Sequence, residues 1–438
     1  MKMWKKEGYS AIERIWMDRL RKYSASNLSI TRLIDHCSSI RKAYGNDSAA
    51  VFAESFIAPS YIPYVKWILQ DAKNRGLKKL YFLNRDGYIL WKIAEVINNK
   101  DIDLEYLFLS RRILSIPFLK DGDRDRFNLI TGLSGEYYVW RVSVDDIAFR
   151  LNMTKEDLSK AYSLRCEDDM SKSEINRLVD EIFACRPLMR KLKYDGDGQF
   201  SLLRKYLEQA GILENPNICG IVDVGWTGTS RAMLSMLLQD MGVDESPVWY
   251  YFGADDNSLS ETYGKYVSYT GSKYKTEPIV PLLENYFSLC PYGSVRSLRL
   301  SADGEVIPVL SDGPSDKQQN IIDINIKICT LISTVFNNCE LDESIGREWA
   351  DISLDSLMEY TCKDIDYSVL RHGKNYEGEP LVSKMKLKDM MRFCLSVPSD
   401  MDRLNVYYSF HPLTARSLLG LSGFVYKCRW LIKHYLHC

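Results

Sequence analysis

The chain has 438 residues, 46% of them hydrophobic and 26% charged, with 57 Lys+Arg against 58 Asp+Glu for a net charge of −1. That length supports about two to three domains with full cores, and the composition excludes a disordered, collagenous or membrane-spanning chain. The charge balance excludes a general nucleic-acid wrapper, whose attraction for phosphates needs a net basic field, so no nucleic-acid partner is expected.

Residues 1–44 read as an N-terminal helical segment, with Ile12, Ile15, Trp16 and Leu20 at helical spacing. The first 23 residues carry basic side chains but no continuous apolar stretch, so no secretory leader is expected. A helix over Ser60–Arg75 leads through Gly76, a C-terminal cap, into a strand at Lys78–Leu83. The strand ends at Asn84-Arg85-Asp86-Gly87, and Ile89, Ile93, Ala94 and Ile97 mark the helix that follows. A second strand, Leu104–Leu109, ends in Ser110-Arg111-Arg112. Strand, polar turn, helix and strand favour a parallel sheet covered by helices.

Residues 116–200 are charged and helical in pattern, an insertion on the sheet. A helix over Ser201–Gly211 precedes a buried strand, Ile218–Asp223. The turn Val224–Ser230 and an amphipathic helix, Arg231–Met241, come next. A fourth strand, Val248–Phe252, ends at Gly253-Ala254-Asp255-Asp256, and the chain after 276 reads as mostly helical. The expected organisation is an α/β domain over 45–275 with its helical insert, and a helical C-terminal domain over 276–438. Ligands of open α/β sheets collect beyond the carboxyl ends of the strands. One cleft is therefore expected, lined by residues 84–88, 110–112, 223–230 and 253–257.

Within that cleft the run Ile221–Ser230 is the most informative. A carboxylate at a strand end, followed by a Gly/Thr/Ser-rich turn that opens a helix, suits a sugar phosphate. The same residues also suit a tight strand-to-helix connection with Thr or Ser as N-cap. The run resembles the phosphoribosyl-pyrophosphate loop of type I phosphoribosyltransferases: an apolar strand, two acids, three mixed residues, then Thr-Gly-small-Thr/Ser. On that resemblance Asp223 stands at the second acid and Val222, a departure, at the first. Asp223 would hold the ribose hydroxyls. Gly225, Trp226, Thr227, Gly228, Thr229 and Ser230 would take the 5-phosphate. Arg85, Asp86 and Gly87, with Arg111 or Arg112, would cradle the pyrophosphate and its Mg²⁺, an ion that needs few protein ligands there. Taken singly, Arg85-Asp86 also reads as a surface ion pair and Arg111-Arg112 as a solvated pair.

On a larger scale, Phe82–Leu90, Val222–Ser230 and Leu282–Val295 are similar to segments of a group of bacterial polysaccharide-cluster proteins, often labelled haloacid dehalogenase-like. That resemblance implies transfer of a 5-phosphoribosyl unit from phosphoribosyl pyrophosphate to a sugar hydroxyl of a lipid-linked glycan, in O-antigen or capsule biosynthesis. A separate phosphatase would then act on the product. In the same segment Glu284 could be the base for the acceptor hydroxyl, or a structural ion pair, and Tyr292 an acceptor-side group. Two alternatives stand beside this reading. A haloacid dehalogenase-type sugar phosphatase would need an aspartate nucleophile where Asn84 stands. A non-catalytic phosphoribosyl-ligand sensor would fit Val222 in place of an acid.

Other chemistry is thinly represented. Eleven cysteines fall at 37, 166, 185, 219, 290, 329, 339, 362, 394, 428 and 438, with no Cys-x-x-Cys pair. They read as small buried hydrophobes of a reducing, cytoplasmic protein. Five histidines, His36, His372, His411, His434 and His437, form no zinc-ligand spacing. The Asp-x-Asp triplets at Asp121-Gly-Asp123, Asp195-Gly-Asp197 and Asp364-Ile-Asp366 mimic the metal-binding triplet of nucleotide-sugar glycosyltransferases, but such triplets are common in polar loops and none follows a buried strand. No acidic residue follows Asp402, and a helix over 424–438 would oppose Arg429, Lys433 and His437 to Phe424, Cys428, Leu431, Ile432 and Tyr435. Such a face suits peripheral contact with the inner face of the plasma membrane, or docking on the protein's own core.

Overall fold

The computed structural model describes residues 28–45, 47–131, 144–159, 172–254, 263–274, 280–339 and 343–359, together with Asp18 and Arg21. Short runs rich in Leu, Val, Ile, Tyr and Trp form a five-stranded parallel sheet. Its strands are β1 (Lys79–Leu83), β2 (Asp103–Leu107), β3 (Cys219–Asp223), β4 (Val248–Tyr251) and β5 (Tyr266–Ser268), in the order β2-β1-β3-β4-β5. The α/β class and the all-parallel sheet are as expected. Five strand boundaries differ from the sequence reading by one or two residues, and β5 is an edge strand of three residues, too short to stand out as a pattern.

Both faces of the sheet are buried, as a parallel sheet requires. Leu80, Phe82, Val222, Val248 and Tyr250 point into one apolar layer, formed with the helices Leu28–Tyr44, Ala58–Asn74, Tyr88–Ile97, Asp316–Asn337 and Glu343–Glu359. Tyr81, Leu83, Ile221, Trp249 and Tyr251 point into the other, formed with the helices Arg111–Phe118, Arg186–Gln209 and Thr229–Asp240 and the smaller helices of the insert. The alternation along each strand is the period-2 consequence of strand geometry. The helices at 316–359 thus share a core with residues 28–97.

Two stretches differ from the sequence reading. The helix expected at Ser201–Gly211 is the end of a 24-residue helix, Arg186–Gln209, and Asp195-Gly-Asp197 lies inside it and not in a loop. Gly196 is there because a Cβ would come within 2.7–2.8 Å of the Lys120 backbone, so the helix crosses the end of its neighbour at close range. After 276 the chain is not all helix: β6 (Val295–Leu300) and β7 (Val306–Leu310) form an antiparallel ribbon. Arg296 and Arg299, flanked by Val295, Leu298 and Leu300, with Asp303-Gly304 behind them, carried that signal.

Several expectations lie outside the described residues: the N-terminal helix before residue 28 apart from Asp18 and Arg21, Asp255-Asp256, Asp364-Ile-Asp366, the helix over 424–438 and four of the five histidines. Among the described residues no helix is long and apolar enough to cross a membrane.

Gly87 opens the helix Tyr88–Ile97, where a Cβ would lie 2.6–2.7 Å from the backbone of Phe82 and Leu83. Gly87→Ala is expected to cost about 1–3 kcal/mol through this overlap. Gly198, in the long helix with nothing within 4 Å of its Cβ position, is the control. Gly198→Ala is expected to stabilise by about 0.5–1 kcal/mol. Urea denaturation of both variants checks the contrast.

Candidate active site

The strand order reverses direction between β1 and β3. The chain leaves β1 toward β2 through a helix on one face, and leaves β3 toward β4 through a helix on the other. Such a reversal opens a crevice beyond the carboxyl ends of the two strands. β1 and β3 pair in register from Lys79↔Cys219 to Phe82↔Val222, so the turn at Asn84–Gly87 and the turn at Asp223–Ser230 emerge side by side at the same edge.

The first turn is held open by an unusual backbone. Arg85 adopts φ +70°, in the left-handed region that non-glycine residues rarely occupy. The Tyr106 hydroxyl accepts from the Arg85 backbone N–H at 2.8 Å and donates to Asn84 Oδ1 at 2.8 Å. Asn84 Nδ2 donates to the Gly293 carbonyl at 3.3 Å, and Arg85 Nη1 donates to Ser294 Oγ at 3.4 Å. Both ends of the Asn84 amide are therefore engaged in holding the turn. A strained residue fixed by its surroundings is a feature that clusters at functional sites.

The second turn also has glycine where only glycine fits. Gly225 has φ +125°, and a Cβ there would collide with the Gly253 carbonyl oxygen. Gly228 has φ +77° and is the N-cap of the helix Thr229–Asp240, with no side chain capping the first turn. Helix N-termini carry unsatisfied N–H groups and the positive end of the helix dipole. The Thr227 and Thr229 hydroxyls lie 3.1 Å apart beside these groups.

A third wall comes from the segment sequence analysis had singled out, Leu282–Val295. Its π-helical turn, Leu283–Phe287, carries Glu284, and its end lies across the turns after β1 and β2 through Gly293, Ser294 and Val295. The helix Ala58–Asn74 fixes two of the walls at once. Tyr61 donates to the Leu283 carbonyl at 3.1 Å, the residue before Glu284. Tyr64, one turn along, donates to the Asp223 carbonyl at 3.0 Å. Burial first, and then the negative field of the site, raises both phenols, so they remain donors.

These walls bring Asp86, Asp223 and Glu284 within electrostatic reach of one another and of Arg111. Asp86, Asp223 and Glu284 are each partly buried, neither sealed in the core nor fully exposed. Burial, then the field of Asp86, pushes Glu284 up to about 7, against the opposing pull of Arg111 and Arg85. Burial likewise raises Asp86, with Arg85 and Arg111 opposing. Asp223 is raised well above the usual carboxylate range by burial and by the charge of Asp86; the Val224 N–H, 2.8 Å from its Oδ1, opposes this.

Not every expected residue faces this group. Arg112 turns to the insert, with Nη2 donating to Asn152 Oδ1 at 3.0 Å, and it shares its surroundings with Arg296. Trp226 belongs to the buried apolar layer beneath the turn, against Gly253. Tyr292 is 39% exposed and packs with Tyr88, Tyr106 and Phe108 beside the Arg85 turn. Among the Asp-x-Asp triplets, Asp121 pairs with Lys120 at 2.7 Å and Asp123 caps Arg126 N at 3.0 Å. Sequence reasoning missed the tethers Tyr61, Tyr64 and Tyr106, as well as Arg231. An aromatic residue in an apolar stretch carries no mark of where its hydroxyl goes.

Among the described residues no three His, Cys, Asp or Glu side chains converge as a ready-made metal cage. The donor set still fits a Mg²⁺ delivered on a diphosphate, because Asp86 offers carboxylate oxygen beside Arg85 and such an ion keeps most of its shell from phosphate and water. Neither a protein-family model nor a curated protein matches the chain.

Glu284 binds its proton in the folded chain up to about pH 7 but from 4.5 in the unfolded one. Its stabilising contribution is therefore complete below the unfolded value and lost as pH rises through the folded one. Without ligand or Mg²⁺, Glu284→Gln is expected to raise the melting temperature more at about pH 8 than at about pH 5. A pH series of thermal melts checks this.

Proposed function

We propose that the protein transfers a 5-phosphoribosyl unit from phosphoribosyl pyrophosphate to a sugar hydroxyl of a lipid-linked glycan, as a pentosyltransferase with a sheet of phosphoribosyltransferase type. The observation that carries this reading is the meeting of the two turns, one basic and one of phosphate-binding character, over a shared cluster of carboxylates. Arg85 and Arg111 supply forked donors for a diphosphate leaving group, while Gly87 serves the packing of the turn on β1 and does not face the diphosphate. The hydroxyls and backbone N–H groups of Thr227–Ser230, at the opening of a helix, suit the 5-phosphate. Asp223, between the two, suits the ribose hydroxyls.

The reaction breaks the bond from the anomeric carbon to the pyrophosphate oxygen and forms one to the acceptor oxygen. Positive charge develops on the sugar ring as the diphosphate leaves, and fixed charges aimed at it do most of the catalysis. Asp223 faces the ring and favours that charge, while Arg85 and Arg111 favour the departing diphosphate. Glu284, with its carboxyl near 7, is matched to take the acceptor proton at neutral pH. Mg²⁺, when bound, would neutralise diphosphate charge, with Asp86 as its protein ligand.

A haloacid dehalogenase-type phosphatase is less well supported. Asn84 occupies the nucleophile's place, and its amide already holds the turn to Tyr106 and Gly293. The residues after 276 enter this reading as the acceptor side, and the basic and apolar stretch 424–438 as the membrane side. The product, still phosphorylated, would pass to a separate phosphatase.

Incubation with phosphoribosyl pyrophosphate, Mg²⁺ and lipid-linked glycans is expected to release pyrophosphate and add one phosphoribosyl mass to the glycan. Phosphate release without an acceptor would instead mark a phosphatase. Asp223→Asn and Glu284→Gln are each expected to lower kcat by about 10²–10⁴ with folding intact. Arg85→Ala is expected to raise the donor KM, and an unchanged KM would remove Arg85 from the pyrophosphate site.

A further inference from the structure

Behind the second turn lies a charge that the proposed reaction does not use. Arg231, the third residue of the helix Thr229–Asp240, is fully buried. Its guanidinium lies against Gly228, where a Cβ would come within 3.0 Å of Nη2 and 3.4 Å of Nε. Nη1 donates to the Gly264 carbonyl at 2.5 Å, and the guanidinium carbon sits 4.3 Å from the centre of the Tyr266 ring. The side chain is thus held by the turn, the entry to β5, an aromatic face on β5 and, from β4, the Tyr251 hydroxyl. Gly228 is doubly constrained, by its left-handed backbone and by the guanidinium.

A permanently charged group is costly to bury, so where the guanidinium is held matters. Its position decides what the charge can do. It sits beneath the residues that open the helix, on the protein side of the turn, where it adds a full positive charge to the partial charge of the helix end. The guanidinium and the helix end therefore act on the Thr227–Ser230 turn in the same sense, toward an anion.

We propose that Arg231 is a positioning residue that shapes the Thr227–Ser230 turn and charges it from behind, making the 5-phosphate dianion the selected feature of the donor. The inference rests on the assignment of that turn to the 5-phosphate. It separates the two anion sites of the hollow, because Arg231 backs the second turn while Arg85 and Arg111 serve the first.

Calorimetric titration with ribose 5-phosphate, and separately with inorganic pyrophosphate plus Mg²⁺, tests it on the full chain. Arg231→Gln is expected to weaken ribose 5-phosphate binding about tenfold or more and to leave pyrophosphate binding unchanged. Arg231→Lys, which keeps the charge but loses the fork and the ring contact, is expected to fall between the two. A merely structural role would weaken both ligands together, and that result overturns the proposal, as does wild-type ribose 5-phosphate affinity in Arg231→Gln. If Arg231→Gln does not fold, Arg231→Lys decides by the same comparison. Wild-type protein that binds pyrophosphate but not ribose 5-phosphate would overturn the assignment of the turn, and the role of Arg231 with it.

Discussion

The in-register pairing of β1 with β3 is the constraint on which the candidate site depends. Parallel neighbours end at the same edge, so the residues that follow Leu83 and Asp223 have to share the space beyond it. The strand order sends the two following helices to opposite faces, which leaves that space open. The remaining parts of the site are built around it. The segment 283–295 closes one side, and the helix Ala58–Asn74 fixes both that segment and the end of β3 with two phenols one helical turn apart. Each tether sets where a carboxylate stands.

The electrostatics distinguish this hollow from the ordinary ion pairs of the molecule. In the insert, Arg126 reaches Asp240 with two hydrogen bonds of 2.5 and 2.8 Å. Burial there acts to raise the Asp240 carboxyl, but the Arg126 bonds outweigh it and hold the group low, as a structural pair does. In the hollow the balance is reversed: burial and mutual repulsion among Asp86, Asp223 and Glu284 outweigh the arginines. Acids left under-compensated gain from a ligand or ion that brings positive charge, and from a reaction in which positive charge develops.

Much of this was legible before any coordinates. The strand β1, the turn Asn84–Gly87, the strand β3 and the turn ending at Ser230 each carry a local signal, an apolar run followed by polar or glycine residues. Their convergence followed from the parallel-sheet inference alone. What was not legible depends on long-range contact. Arg111 and Arg112 are equivalent as text, and only the docking of the insert at Asn152 separates them. The hydroxyls of Tyr61, Tyr64 and Tyr106 looked like core because their rings are core. The β6–β7 ribbon offers only a weak signal, because neither Val295–Leu300 nor Val306–Leu310 alternates strictly between apolar and polar residues. Asp195-Gly-Asp197 was misread because a glycine between two acids normally marks a turn, whereas here Gly196 serves a close helix crossing.

The departure at Val222 from the two-acid pattern has a physical account in the same geometry. Successive side chains of a strand point to opposite faces, so Val222 enters the apolar layer with Val224, Tyr64 and Phe252 while Asp223 does not. An acid at 222 would have to lose its hydration among those rings. In the proposed reaction the hollow obtains its further carboxylates from the other walls instead, Asp86 from the first turn and Glu284 from the π-helical turn. A pentose held this way is gripped from three separate segments of the chain and not from one strand end. The tethers at Tyr61 and Tyr64 then matter as much as the acids, because they fix two of those segments to a single helix face.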